Sequence, residues 1–235
     1  MLKKTLNTWF WLQAGKVFSE GTIEAMKLDL RRFQVRRRYK GKSSIKPDSA
    51  KLHVGCGNIH VKNWLNVDLY GSDFNVDLAT SPLPWSDNSF DAAISQHVIE
   101  HLVLESELIP LLNELSRVMT PGAELWLSCP DIEKVCTSYM QCNMQDLLED
   151  RRQRWPDFPF GEMPTSHLIN HFFSQEGGHK NLFDFALLEW TLKSAGFDEV
   201  EQSVETDLLM RFPEFPKRGD DAQSIYVSAK NAKTA

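Results

Sequence analysis

Apolar positions along this chain change rhythm near residue 51. Before it, Trp9, Leu12, Val17, Ile23, Met26, Leu28, Leu30, Phe33 and Val35 recur at mixed helical spacing. They predict one or two helices over residues 5–40, broken at Ser19-Glu20-Gly21. Residues 41–50, GKSSIKPDSA, have the composition of a linker. From Lys51, short apolar runs alternate with turns. KLHV running into GCG, WLNVDL (64–69), FNVDL (74–78), FDAAISQ (90–96) and AELWLSC (123–129) predict five strands. Leu104, Leu108, Leu111, Leu112, Leu115, Val118 and Met119 predict a helix over 104–119, stopped by Pro121-Gly122. A second helix is predicted over 131–152, with Asp131 as its N-cap, and a third over 183–195, closed by Gly196. The stretch up to about Lys180 between those two is polar and aromatic and reads as loop. FDEVEQSVE and SIYVSAK predict closing strands. Short strands interleaved with helices predict an α/β fold with a largely parallel sheet.

In such a sheet, ligands bind outside the carboxyl ends of the strands, near the switch in strand order. The first strand runs into Gly55-Cys56-Gly57, where missing Cβ atoms let the backbone approach a ligand. The second ends at Asp68, whose carboxylate can accept two hydrogen bonds from a ribose diol. A plain turn would use the same glycines and the same acid. It is the order strand, GxG, strand, acid that points to a nucleoside. No GxxxxGK[ST] occurs, so a phosphate-cradling lysine loop is absent from the sequence.

The run KLHVGCGN, then WLNVDL, then DLATSPLPWSDNSFDAAISQHVIEHL, resembles the class I S-adenosylmethionine-dependent methyltransferases. More narrowly it resembles the type-11 bacterial group associated with glycan and cell-envelope pathways. The resemblance covers about residues 51–130 and returns at GGHKNLFDFALLEWTLKSAGFDEVE. It implies a Rossmann-like, mainly parallel seven-stranded sheet, with S-adenosylmethionine as cofactor. By resemblance Gly55 and Gly57 lie against the methionine part of the cofactor, and Asp68 binds the ribose. Asp77 and Leu78 meet the adenine, while Ser95, Gln96 and His97 stand beside the methyl donor. His53 occupies a position where the broader class carries an acid that holds the cofactor's amino group, and the narrower group tolerates His there. His97 and the loop residue His179 are the candidate catalytic groups. The resemblance implies transfer to a small or glycan-type acceptor, at a hydroxyl. A SAM-binding module without catalysis is a competing reading. A nicotinamide oxidoreductase is another. Against it, Asp68 follows Gly57 by eleven residues where dinucleotide sites use about 20, and the third glycine is missing. The short spacing also predicts that the helix between the first two strands shrinks to a turn or two. The N-terminal helices are expected to cover the flank so exposed.

Charge divides at the place where the apolar rhythm changes. Residues 1–51 hold 13 Lys/Arg against four Asp/Glu, a balance of +9, and the remainder holds 13 against 28, a balance of −15. We therefore expect a basic helical extension and linker (1–50) and a catalytic domain (51–235). The run Arg31, Arg32, Arg36, Arg37, Arg38, Lys40 suits a solvated helix face or docking on an anionic lipid or acidic partner. Trp9, Phe10 and Trp11 beside Lys3 and Lys4 extend that reading to a membrane surface through residues 1–42. The acidic body offers no broad nucleic-acid footprint. The N-terminus imitates a signal peptide, but Gln13 and Lys16 interrupt its apolar run, so it is expected to be retained. Cys56, Cys129, Cys136 and Cys142 form no CxxC pair, which suits a reducing cytoplasm. Seven histidines show no diagnostic metal pattern, and no metal is expected. His101 reads as a packing or capping residue. His167, His171 and His179 lie in an aromatic stretch where an acceptor site is expected. Asp131 is a further candidate at the cleft mouth.

Overall fold

The computed structural model describes residues 11, 13–39, 45–80, 82–174 and 178–233. Lys3, Lys4, Trp9, Phe10, Leu12 and Lys40, named above for the basic arm, lie outside the described residues. The chain divides into two compact units, residues 1–41 and 42–235.

In the first unit, α1 spans Glu20–Tyr39. The break foreseen at Ser19-Glu20-Gly21 is its start: the Ser19 hydroxyl accepts from the Thr22 N–H. Glu20 lies in the first turn and Arg36, Arg37 and Arg38 in the last, the arrangement that opposes the helix dipole. Met26, Leu30 and Phe33, spaced four and three residues apart, are all exposed.

The second unit carries β1 (Lys51–Val54), β2 (Leu65–Asp68), β3 (Phe74–Asn75) and β4 (Phe90–Gln96). A 3-10 turn (Ile99–His101) and a π turn (Leu104–Leu108) lead into α2 (Ile109–Val118), then β5 (Met119–Pro130). Next come α3 (Ile132–Cys142), α4 (Gln145–Arg154), a 3-10 turn (Thr165–His167) and α5 (Leu168–Phe173). The chain closes with α6 (Phe185–Ser194), β6 (Phe197–Ser203), α7 (Glu205–Arg211) and β7 (Ser224–Asn231). The sheet has seven strands in the order β3-β2-β1-β4-β5-β7-β6. The β1–β2, β1–β4, β2–β3 and β4–β5 pairs are parallel, and β7 runs antiparallel to both β5 and β6. Strand order switches direction between β1 and β4, so their carboxyl ends flank the crevice.

Several predicted elements differ in detail, each for a local reason. The third strand stops at Asn75, because Asp77 accepts from the Ala79 N–H and bends the chain. The helix predicted over 104–119 begins with the π turn, with Pro110 in the first turn of α2 where its missing N–H costs nothing. The helix predicted over 131–152 is two helices, broken where Asn143 and Met144 adopt φ of 52° and 71°. The predicted loop to Lys180 holds α5, and α7 stands where loop or strand was expected. Ile45, within the predicted linker, donates its N–H to the Pro84 carbonyl and pairs with Trp85.

Between β1 and β2 the connection is indeed a turn, not a helix. Register places His53, Asn66, Ile94 and Trp126 on one sheet face. Within this unit that face is covered from the other end of the chain. Leu208 of α7, Phe212 and Phe215 form one buried cluster with Trp64, Ile94, Trp126 and Tyr226. Trp64 meets Phe212 and Phe215 edge-on, with centroids 5.3 and 4.8 Å apart. A second cluster joins α3, α4 and α5 through Val135, Leu147, Leu148, Phe160, Leu168 and Phe172. This small helical layer stands beyond the carboxyl end of β5.

Candidate functional site

The parallel strands deliver the sequence-predicted residues to one edge of the sheet. Gly57 donates its N–H to Asp68 Oδ2 at 2.8 Å, and Leu69 N–H reaches Oδ1 at 2.6 Å. One carboxylate thus joins the ends of β1 and β2. A Cβ added at Gly57 would meet nothing within 4 Å, so the turn faces open space beside that carboxylate. A ribose-bearing cofactor fits this arrangement: an acceptor-only carboxylate at the rim of a turn with no side chain in the way. At Gly55 a Cβ would lie 2.2 Å from Val98 Cγ2, so packing behind β4 also requires a glycine there.

His53 is buried within the covered face. Its Nδ1 pairs with Asn66 Oδ1 at 3.1 Å, and its ring meets Phe215 edge-on at 4.9 Å. Burial holds its pKa below the ordinary value, so the ring is neutral. Asp77, Ser95 and Gln96 are buried at strand ends, and Leu78 is half-buried. The Ser95 hydroxyl has no hydrogen-bond partner among the described residues.

His97 follows β4 with φ of 57°, a left-handed conformation that turns its side chain out of the strand. Its Nε2 lies 2.7 Å from Asp220 Oδ2, and its Nδ1 3.3 Å from Glu100 Oε1. Burial alone would lower its pKa, but the two carboxylates outweigh burial and hold it above the ordinary value. The same contact holds Asp220 well below the carboxylate range, against its own burial. Tyr226 donates to Asp220 Oδ1 at 2.6 Å, and Arg218 Nε lies 3.2 Å from Oδ2. The loop carrying Asp220 is fixed by the buried Glu205, whose carboxylate accepts from the Arg218 and Gly219 N–H groups. His97 is therefore held between two acids that favour its protonated form.

Around His97 opens a cleft of about 760 Å³, running from Ile59, just past the glycine turn, to the helical layer. His97, Glu100, His101 and His179 line its sheet side, and Arg151, Arg154, Lys217 and Arg218 give it positive charge. Arg154 is paired with Asp150 and Arg218 with Asp220. Arg151 has no carboxylate partner among the described residues. Its Nε donates to Gln223 Oε1 at 2.9 Å, and its guanidinium lies 4.3 Å from the Phe172 ring centre and 5.2 Å from that of Phe158. Burial pushes its pKa down to about 10, which still leaves it charged at neutral pH. His179 Nδ1 lies 2.6 Å from the Phe172 carbonyl, and burial holds its pKa low. His171 also borders the cleft, packed with Phe158, Phe160 and His167. Asp131 is the N-cap of α3, accepting from the Glu133 and Lys134 N–H groups, and is buried in that role.

The sequence missed Asp220, Arg151 and Glu205. PKRGDDAQ reads as a polar turn, and Arg151 sits among the charges of an ordinary surface helix. Arg151 and Asp220 meet Gln223 and His97 across 72 and 123 residues, and Glu205 meets backbone N–H groups 13 and 14 residues on, contacts that no local pattern marks.

Residues 52–127 match the model of a family described as "Methyltransferase domain", type 11. No curated protein matches the chain in sequence. Among solved structures the chain is similar to a SAM-dependent methyltransferase from Archaeoglobus fulgidus, with 17% identity and a TM-score of 0.41, covering 85% of this chain and 94% of that one. It is also similar to an S-adenosylmethionine-dependent methyltransferase from Mesorhizobium loti, with 16% identity and a TM-score of 0.42, covering 85% and 97%. A third is phosphoethanolamine N-methyltransferase 2 from Haemonchus contortus, with 12% identity and a TM-score of 0.43. There 85% of this chain aligns, spanning about half (52%) of that longer protein.

Proposed function

We propose, for a chain that is a class I S-adenosylmethionine-dependent methyltransferase by its matched core and seven-stranded sheet, that the acceptor is an anionic small molecule or glycan unit methylated at a hydroxyl. The observation that supports this acceptor class is Arg151: a largely buried guanidinium, held by Gln223 and two aromatic rings, with no carboxylate in an ion pair with it among the described residues. A planar guanidinium in that state is suited to a carboxylate or phosphate group.

S-Adenosylmethionine, when bound, would supply an electrophilic methyl carbon with its thioether as leaving group, and the acceptor hydroxyl would have to give up its proton. The chain's own residues supply alignment and proton handling. Gly57, Asp68, Asp77, Leu78, Ser95 and Gln96 are assigned to the cofactor side. His97, held between Asp220 and Glu100, positions the floor of the cleft. His179 is neutral, and its Nδ1 donates to a carbonyl, which leaves Nε2 as a lone pair for the acceptor. Methyl transfer is assigned to residues 51–235. The basic 1–50 segment is assigned a docking role toward an anionic surface on the cytoplasmic side. Among the described residues no helix is long and apolar enough to cross a membrane.

The test is calorimetry with S-adenosylhomocysteine and NAD, followed by turnover over matched anionic and neutral hydroxyl acceptors. We expect S-adenosylhomocysteine to bind, NAD not to bind, and turnover to favour the anionic member of each pair. Cofactor binding with no S-adenosylhomocysteine formed across the whole panel would support a binding module instead.

A further inference from the structure

We infer that Glu100, His101 and His179 form a binding site for one divalent transition-metal ion at the inner end of the cleft. Their ligand atoms lie within 4.8 Å of one another. Glu100 is 1% exposed, and neither carboxylate oxygen has a hydrogen-bond partner among the described residues. Its one charged neighbour is His97 Nδ1, 3.3 Å from Oε1. His97 is shared with Asp220, and Oε2 stays buried with no polar partner among the described residues, a costly state for a carboxylate.

The two imidazoles are oriented as ligands are. His101 Nδ1 lies 3.0 Å from the Gly178 carbonyl, and His179 Nδ1 lies 2.6 Å from the Phe172 carbonyl. A carbonyl oxygen only accepts, so both Nδ1 atoms carry the proton and both Nε2 atoms present lone pairs. Metal-bound histidines are fixed this way, by a hydrogen bond from the far nitrogen to a carbonyl or carboxylate. The rings stand edge-to-face with centroids 4.9 Å apart. A carboxylate and two imidazoles thus converge, each with a ligand atom to offer, and a single cation can meet all three.

Backbone bonds hold the pieces together without the ion. The Glu100 carbonyl accepts from the Lys180 and Asn181 N–H groups, and the Asn181 side chain donates to the Leu102 carbonyl. These bonds pin the loop carrying His179 to the turn carrying Glu100 and His101. Two imidazoles and a carboxylate suit zinc or another late first-row ion, with bonds of about 2.0–2.2 Å and one position open. All three residues line the cleft. Resting on the hydroxyl-acceptor reading above, an ion held there would replace the His179 lone pair as the group that meets the acceptor oxygen, and would make its proton easier to lose to water in the cleft. Ion binding itself does not depend on that reading.

The test uses the full-length protein stripped with a chelator and titrated with Zn²⁺ by calorimetry, and with Co²⁺ by visible absorption. We expect one equivalent to bind. His101→Ala and His179→Ala should each weaken binding at least tenfold, and His167→Ala should not. S-adenosylhomocysteine affinity, measured on the same samples, should stay within about twofold, so a failed metal site is distinguishable from a failed methyltransferase reading. Because Glu100→Gln removes a buried charge beside His97, its folding is checked by circular dichroism, and His101→Asn serves as a milder variant. No stoichiometric binding to the parent protein, or binding indifferent to both histidine substitutions, would overturn the inference.

Discussion

The two sides of the cleft are built on different principles. On the sheet side, short contacts between neighbouring strands set the geometry, as where Asp68 joins the ends of β1 and β2 through Gly57. On the helical side, α4 and the loop before β7 bring in Arg151, Arg218 and Asp220 over long stretches of chain. The sheet side presents open backbone and the Asp68 carboxylate at the glycine turn, with His97 and Glu100 beyond them. The helical side presents cations on an aromatic bed. A fixed cofactor suits the first, and a variable acceptor suits the second.

The strongest way to break this comparison is at the place where the two sides meet. Asp220→Asn removes the carboxylate between His97 and Tyr226 and leaves the buried His97 with only Glu100. The loss should be about 3 kcal/mol of stability in urea unfolding, with cofactor and acceptor binding both weakened. An effect confined to one of the two ligands would show that the two sides are independent. Next in size is Gly55→Ala, where φ is +70° and the new Cβ would overlap Val98. We expect about 2–3 kcal/mol of destabilisation, partly recovered by adding Val98→Ala. Failure of that rescue would place the cost in backbone strain alone.

Asp68→Ala should weaken S-adenosylhomocysteine binding about 30-fold, about 2 kcal/mol, by removing a charged acceptor, while an acceptor's KM changes little. Arg151→Ala should do the converse, raising KM for anionic acceptors about tenfold, about 1.4 kcal/mol, with cofactor affinity unchanged. If these two variants gave the same pattern, the division of labour would be wrong. The smallest effect lies away from the cleft. Arg117 holds the Glu114 carboxyl below its ordinary pKa, although burial works the other way. A carboxyl depressed in the folded state adds stability above its unfolded pKa and loses it as pH falls through the folded value. The gap between the parent and Glu114→Gln should be under about 1 kcal/mol at pH 7, because the pair is partly solvent-screened. It should close in urea melts as pH falls below about 4.

Much of the sheet side was legible because its signals are local. FDAAISQ matches β4 from end to end, and the eleven residues from Gly57 to Asp68 already exclude a full helix. Asp131 as an N-cap followed from Pro130 before it and a helical pattern after it. The helical side was opaque for the opposite reason. Asn143 and Met144 break a continuous helical pattern through two left-handed residues, and Met at positive φ has no sequence signature. The packing demand at Gly55 was not legible, because the family pattern shows a glycine but not Val98 behind it. The convergence of His101 with His179 joins a turn to a loop 78 positions away, across a motif that fits no zinc spacing.

The cover over β1 and β2 also governs the order in which the chain can mature. His53 and Trp64 lie near the start of the sheet, yet Phe212 and Phe215, the rings that shield them, come about 150 residues later. As the chain emerges from the ribosome, the first strands can pair while one face of the sheet stays wet. That face dries only when the segment between β6 and β7 has been made. Contacts this far apart in sequence slow folding. During that interval Trp64, Ile94 and Trp126 form an exposed apolar strip of the kind that chaperones engage.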